Sequence, residues 1–298
     1  MRGSHYTAVL PTDVPASSDI HEQLRRYRRE WQANARLDAL WAVLSLDGKL
    51  GDRWDEGEFF ATGRQEIEEV FDFMARSGVA LPSLGTALDF GCGVGRLTQP
   101  LSTRVRDVVG VDIAPEMIRR ARSYFPGLTF RLNEREDLSD FPAGSVDLIY
   151  TNIVLQHLSN ALQVHYVREF SRLLGPRGLA ILQIPARRPV QSRRVRTLRM
   201  LASMRPRAAV DLVAKAVRGR IVPWRTRMEL NVMPKAEVIR VARTCGLALD
   251  AIGNINWRTF YAAGRFRVEP EENELDDQRE FPLSHLYFFR KPASIPAP

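Results

Sequence analysis

Leu88-Asp89-Phe90-Gly91-Cys92-Gly93-Val94-Gly95-Arg96 is the stretch on which the reading of this chain turns. A short apolar run from Thr86 to Phe90 breaks into three alternating glycines, and Leu97-Thr98-Gln99-Pro100-Leu101 then begins a helix. Strand, glycine turn and helix in that order open a nucleotide-binding βαβ unit. Glycine lets the backbone turn sharply at the strand end and leaves no side chain between the loop and its ligand. A second acid, Asp112, closes the next apolar run 17 residues beyond Gly95, where a carboxylate can accept hydrogen bonds from ribose hydroxyls. The loop is spaced GxGxG, not the GxGxxG of dinucleotide enzymes.

Working outward, strands are expected over 108–111, 128–132, 146–151 and 179–184, with helices over 114–124 and 160–174 between them. Gly175-Pro176-Arg177-Gly178 is expected to end the last of these helices. Strands separated by helices imply a parallel sheet covered on both faces. Upstream, helical spacing predicts helices over 20–46, using Leu24, Tyr27, Trp31 and Trp41, and over 58–77, capped by Gly78. Downstream come a helix over 235–244, a strand over 247–252 and a final strand over 285–290. The organisation read from this is a flexible segment 1–19, a helical layer 20–80, a core 81–185, a basic insertion 186–233 and the rest of the core, 234–298. The fold class is α/β: a Rossmann-like, mostly parallel seven-stranded sheet with N-terminal helices and a helical insertion after the fifth strand.

The 298 residues are 45% hydrophobic, enough for a substantial core, and carry 43 Lys plus Arg against 35 Asp plus Glu. Between Ala186 and Met233 there are 13 basic residues and two acids, Asp211 and Glu229, a local charge of +11 by 13 minus 2. Such a block attracts phosphates, carboxylates, nucleic acid or an anionic membrane, or is a solvated face. Two cysteines, Cys92 and Cys245, offer neither a disulfide framework nor a metal site. No apolar run reaches the roughly 18 to 20 residues that cross a bilayer. A cytoplasmic protein, peripheral at a membrane at most, is expected.

The glycine loop followed by Gly110-Val111-Asp112-Ile113-Ala114-Pro115-Glu116-Met117 resembles motifs I and II of class I methyltransferases that use S-adenosylmethionine (SAM). The likeness continues through Asn133-Glu134-Arg135-Glu136-Asp137-Leu138, Ser145-Val146-Asp147-Leu148-Ile149-Tyr150, Val154-Leu155-Gln156-His157-Leu158 and Leu173-Leu174-Gly175-Pro176-Arg177-Gly178. It implies SAM as cofactor and S-adenosylhomocysteine (SAH) as product, with no metal. Gly91, Cys92, Gly93, Gly95 and Arg96 would line the methionine and ribose, Asp89 would fix the loop or meet the amino group, and Asp112 would hold the ribose. Ile113 and Met117 would flank the adenine, Glu134 would contact the adenine amino group, Arg135 would also bind the cofactor, and Asn152 would approach the methionine end. Phe60 would either shield the methyl site or pack in the core.

Methyl transfer from a sulfonium is an in-line displacement, so the protein supplies orientation and, for a hydroxyl acceptor, removal of a proton. His157 is the candidate base or else a structural cap, and Gln156 is a candidate to orient the acceptor. Arg187, Arg188, Arg193, Arg194 and Trp224 are candidates for the acceptor pocket, because a guanidinium fork matches a carboxylate or phosphate. The reaction expected is O-methylation of a small or lipid-linked metabolite, such as a sugar, polyketide or isoprenoid-derived molecule, with an anionic acceptor. The other reading is a nucleic-acid methyltransferase, for which no Asn-Pro-Pro-Tyr-like turn or appended RNA-binding motif is present.

Overall fold

The computed structural model describes residues 17–46, 48–80, 85–188, 229–256, 265–270 and 283–293. Arg193, Arg194, Trp224, most of the basic insertion and most of segment 1–19 lie outside the described residues.

Helices α1 (Ser17–Val43) and α2 (Glu56–Arg76) precede the sheet. Then follow β1 (Thr86–Phe90), the short α3 (Thr98–Leu101), β2 (Asp107–Asp112), α4 (Pro115–Tyr124), β3 (Thr129–Leu132) and β4 (Val146–Thr151). The chain continues through α5 (Asn160–Leu173), β5 (Leu174–Arg187), α6 (Lys235–Thr244), β6 (Ala248–Ile255), β7 (Val268–Pro270) and β8 (Leu283–Arg290). Strand order is β3-β2-β1-β4-β5-β8-β6-β7. The pairs among β1 to β5 are parallel, whereas β8 runs antiparallel to β5 and to β6, and β7 antiparallel to β6.

Among the described residues the sheet has eight strands, one more than the alternation predicts. The addition, β7, is three residues ending in a proline, too short for a period of two to show and suited to an edge. Its Val268 N–H donates to the buried Glu69 of α2 at 3.2 Å. The Gly175-Pro176-Arg177-Gly178 turn does not stand outside the strand either. Arg177 N–H donates to Lys291 O and Lys291 N–H to Gly178 O, both at 2.9 Å, so pairing with the chain beyond β8 carries β5 through it.

Alternation along the strands divides the interior in two. On one face α2 sets Phe59, Ile67, Val70 and Phe73 against Tyr150, Ile181 and Phe288. On the other, α5 and α6 set Phe170, Val167 and Val241 against Leu88, Ile149, Leu182 and Phe289. Helix α1 joins both layers: Ile20, Leu24 and Tyr27 pack with the second cluster, and Ala35, Ala39 and Trp41 with the first. It can do so because it breaks at Asp38, whose backbone is extended (φ −163°, ψ 98°). The Asp38 carboxylate accepts from Trp41 N–H at 3.0 Å, as a cap for the second half, and from Gly51 and Asp52 N–H at 2.8 and 2.9 Å. Because β1 leads to β2 on one side and pairs with β4 on the other, the crevice at its carboxyl end is where ligands of such sheets bind.

Candidate cofactor and active site

At the end of β1 the chain turns beneath β2. Gly91 and Cys92 N–H donate to Val111 O at 2.8 and 3.0 Å, which binds the glycine loop to the neighbouring strand. Asp112 closes the corner: one carboxylate oxygen accepts from Gly93 N–H at 2.9 Å and the other from Ala114 N–H at 2.8 Å. Burial pushes its pKa up, and the backbone donors of Ala114, Gly93 and Ile113 oppose that. Gly93 has φ +53°, and a Cβ there would lie 2.6 Å from Val43 Cγ2 of α1. Glycine is therefore required both for the turn and for the closeness of the helix above it.

Above this loop is a cavity of about 960 Å³, its open mouth included. Its floor is Gly91, Cys92, Gly93, Arg96 and Asp112; Ile113, Met117 and Asn133 form one wall, and Asn152, Ile153 and Val154 another. Leu24, Tyr27, Trp31, Ala42 and Val43 of α1 also line it and form its roof. Ile153 adopts φ +61°, a strained conformation for a β-branched residue, and its N–H is held by Gln183 Oε1 at 3.0 Å.

Beneath the floor the polar groups are paired. Asp89 accepts from the Thr98 hydroxyl at 2.6 Å, and burial raises its pKa to about 7. It lies outside the cavity lining and ties β1 to α3. Arg96 and Glu66 of α2 form an ion pair at 2.8 Å with both side chains only 2% exposed. This is possible because α2 touches the loop at Gly63, where a Cβ would stand 2.1 Å from Arg96 O. Three buried polar atoms of described cavity-lining residues have no partner: the Tyr27 hydroxyl in the roof, Asn152 Oδ1 and Arg96 Nε. An adenosyl amino acid fits these residues, since Asp112 faces the loop as an acceptor for a ribose while an orphaned acceptor and an orphaned donor remain for an ammonium and a carboxylate.

His157 and Gln156 are buried but absent from the described lining. His157 Nδ1 lies 2.6 Å from the backbone oxygen of Glu229, which makes Nδ1 the protonated nitrogen. Its Nε2 then accepts from Gln156 Nε2 at 3.2 Å, and Gln156 Oε1 accepts from Gln183 Nε2 at 3.2 Å. Burial holds the imidazole pKa down at about 4, and Trp31 packs edge-on against the ring at 5.0 Å.

The structure thus brings Gly91, Cys92, Gly93, Arg96, Asp112, Ile113, Met117 and Asn152 to one cavity. Gly95 instead sits under Phe125 and Phe130. Phe60 packs edge-on against Tyr124 and Phe125, each at 5.0 Å, away from the lining. Glu134 is exposed and ion-paired with Arg28, and Arg135 is exposed with its guanidinium 3.2 Å from Ser139 Oγ; their neighbour Asn133 reaches the cavity in their place. Arg187 and Arg188 are exposed at the end of β5. The sequence reading missed the roof. Leu24, Tyr27 and Trp31 do carry helical spacing, but spacing does not say what the helix covers.

Residues 87–178 match the family described as "Methyltransferase domain". The chain is 29% identical over 256 residues to a trans-aconitate 2-methyltransferase of Azoarcus sp. (strain BH72), covering 78% of this chain and 97% of that one. A trans-aconitate 2-methyltransferase of Methylobacterium nodulans is 30% identical over 174 residues, 57% of this chain and 64% of that relative's length. A ubiquinone biosynthesis O-methyltransferase of Xanthomonas campestris pv. campestris is 25% identical over 231 residues, covering 76% and 88%. In structure, the magnesium protoporphyrin IX methyltransferase of Synechocystis PCC 6803 with bound SAH superposes with a TM-score of 0.52 at 17% identity, over 90% of this chain and 99% of that one. With the glycine loop, its acid partner and the strand order in place, the methyltransferase-domain match over residues 87–178 and these likenesses support a class I SAM-dependent methyltransferase.

Proposed function

We propose that this enzyme methylates an oxygen of a small anionic metabolite, with a carboxylate-bearing acceptor first among the candidates. The observation that carries this is the chemistry of the lining. Among its described residues the groups that titrate are Tyr27, Cys92, Arg96, Asp112 and Tyr166. Burial raises the pKa of the Cys92 thiol and of the Tyr27 and Tyr166 phenols, and Asp112 is already bonded to two backbone donors. A neutral hydroxyl would need a base to take its proton, whereas a carboxylate arrives as a nucleophile. Relatives named for trans-aconitate, a carboxylate, and for O-methylation support the same reading. They do not single out a sugar, polyketide or isoprenoid acceptor.

The cofactor supplies an electrophilic methyl when bound. In this reading Asp112 holds its ribose, Ile113 and Met117 flank its adenine, Asn152 and Arg96 meet its amino-acid end, and Leu24, Tyr27 and Trp31 exclude water. His157 holds the Glu229 carbonyl and Gln156 holds the imidazole in that orientation, and Arg187 and Arg188 attract the anion along with the basic residues that follow. Contact of residues 186–233 with an anionic membrane rests on their charge alone. No helix among the described residues is long and apolar enough to cross a membrane.

The test is incubation of the purified protein with methyl-labelled SAM and, separately, a pool of small organic acids, a pool of neutral alcohols and phenols, and total RNA. Label in base-labile esters of the acids is the expected result. Label confined to the alcohols and phenols would overturn the carboxylate assignment. Label in RNA, with binding that falls steeply as salt is raised, would favour the nucleic-acid reading.

A further inference from the structure

Resting on the proposed contacts of Asn152 and Arg96 with the amino-acid end of the cofactor, we infer that Glu66, a residue of α2 outside the cavity lining, is the positioning residue that sets the polarity of that end of the site. One of its carboxylate oxygens accepts from Asn152 Nδ2 and from the Tyr150 hydroxyl, each at 2.7 Å; the other is paired with Arg96 Nη2 at 2.8 Å. Glu66 is 1% exposed, so these bonds are not diluted by water.

The consequence follows from the two faces of an amide. An asparagine side chain donates from its nitrogen and accepts at its oxygen. With Nδ2 committed to a carboxylate, which only accepts, the amide has one stable orientation, and the oxygen left over is the unpartnered Oδ1. Arg96 is treated likewise. Glu66 takes Nη2 and neutralises the guanidinium, Thr62 Oγ1 lies 3.4 Å from Nη1, and Nε is left as an unpartnered donor. One buried carboxylate therefore fixes which atom of each residue is left unpartnered, an acceptor on Asn152 and a donor on Arg96, the kinds of partner that an ammonium and a carboxylate need. Tyr150 and the Gly63 contact keep α2 in register with the loop, so the polarity of the site is imposed from a helix that precedes the glycine motif in the chain.

Glu66→Gln tests this. A glutamine of the same shape places its amine either against Arg96, donor to donor, or against Asn152, turning that amide so that its nitrogen faces the ammonium. The probes are SAH and 5′-methylthioadenosine, which share the adenosyl thioether and differ in the amino-acid part, with binding measured by calorimetry. We expect Glu66→Gln to weaken SAH by about tenfold and to leave methylthioadenosine unchanged. Asn152→Ala, which keeps the Glu66–Arg96 pair, should lose the same preference, and adding Glu66→Gln to it should alter the SAH to methylthioadenosine ratio much less than in the unmodified protein. An unchanged ratio in Glu66→Gln or in Asn152→Ala, or full additivity in the double variant, would overturn the assignment. Loss of both ligands together in Glu66→Gln would assign Glu66 to the fold alone and also overturn it. If the unmodified protein bound neither probe, it is the cofactor reading of the cavity that would fail.

Discussion

The floor and the roof of the cavity are built on different principles. The floor is a run of consecutive residues, Gly91 to Arg96, closed by Asp112 through backbone hydrogen bonds, and its conformation follows from local requirements. The roof is one helix laid across two hydrophobic clusters and fastened by side chains to loops far away in sequence. Trp31 meets His157, Gln32 accepts from Glu116 N–H at 2.9 Å, the Ser159 hydroxyl donates to Gln23 at 2.7 Å, and Arg26 pairs with Glu229 at 3.4 Å. Local geometry makes a floor that is rigid and sensitive to single atoms. Distributed fastening makes a roof that tolerates the loss of any one tie.

Substitutions should separate the two. Asp112→Ala should have the largest effect, a loss of about a hundredfold in SAH affinity by calorimetry, because it removes a half-buried acceptor and frees two backbone donors at once. Gly63→Ala should destabilise the fold by about 3 kcal/mol in urea unfolding, since its Cβ cannot coexist with Arg96 O where both now stand. At the base of the roof, Asp38→Ala should cost about 1 to 2 kcal/mol by the same measurement, from the lost cap and the freed 51–52 turn. Arg28→Ala should cost less than about 0.5 kcal/mol, as its partner Glu134 is exposed. A large loss from Arg28→Ala would break the comparison.

Two buried titratable groups should also oppose each other across one pH window. Asp89 has a folded pKa near 7, above its unfolded value of 3.8, so its contribution is present below pH 4 and is lost as pH rises toward 7. His157 has a folded pKa near 4, below its unfolded 6.5, so its contribution is present above pH 6.5 and is lost as pH falls toward 4. Between about pH 4 and 6.5 the two oppose each other, so melting temperature should rise with pH across this window in Asp89→Asn, where His157 acts alone, and fall with pH in His157→Gln, where Asp89 acts alone. A profile unchanged by both would remove the two titrations from the account.

Most of the fold could be read from the residues because its signals are local. The run Thr86 to Arg96 contains its own strand, turn and acid, and the apolar periods of α4, α5 and α6 place those helices to within a residue or two. What could not be read depends on tertiary company. Glu134 turns to Arg28, more than a hundred positions earlier in the chain, while its neighbour Asn133 lines the cavity. Glu66 looks like one more charged residue on a helix surface until α2 is packed against the loop. Phe60 has the composition expected of a lid, but its ring goes to Tyr124 and Phe125.

Glu229 is followed by two further fastenings: Asn231 N–H donates to Gln156 O at 2.7 Å and Met233 N–H to Pro185 O at 2.9 Å. The chain leaves the sheet at the end of β5 and returns to anchorage on that same strand and on the turn after β4. Both moorings are main-chain bonds, so they do not depend on the side chains at positions 231 and 233, and exchanging either for another non-proline residue should leave the chain's return to the core in place.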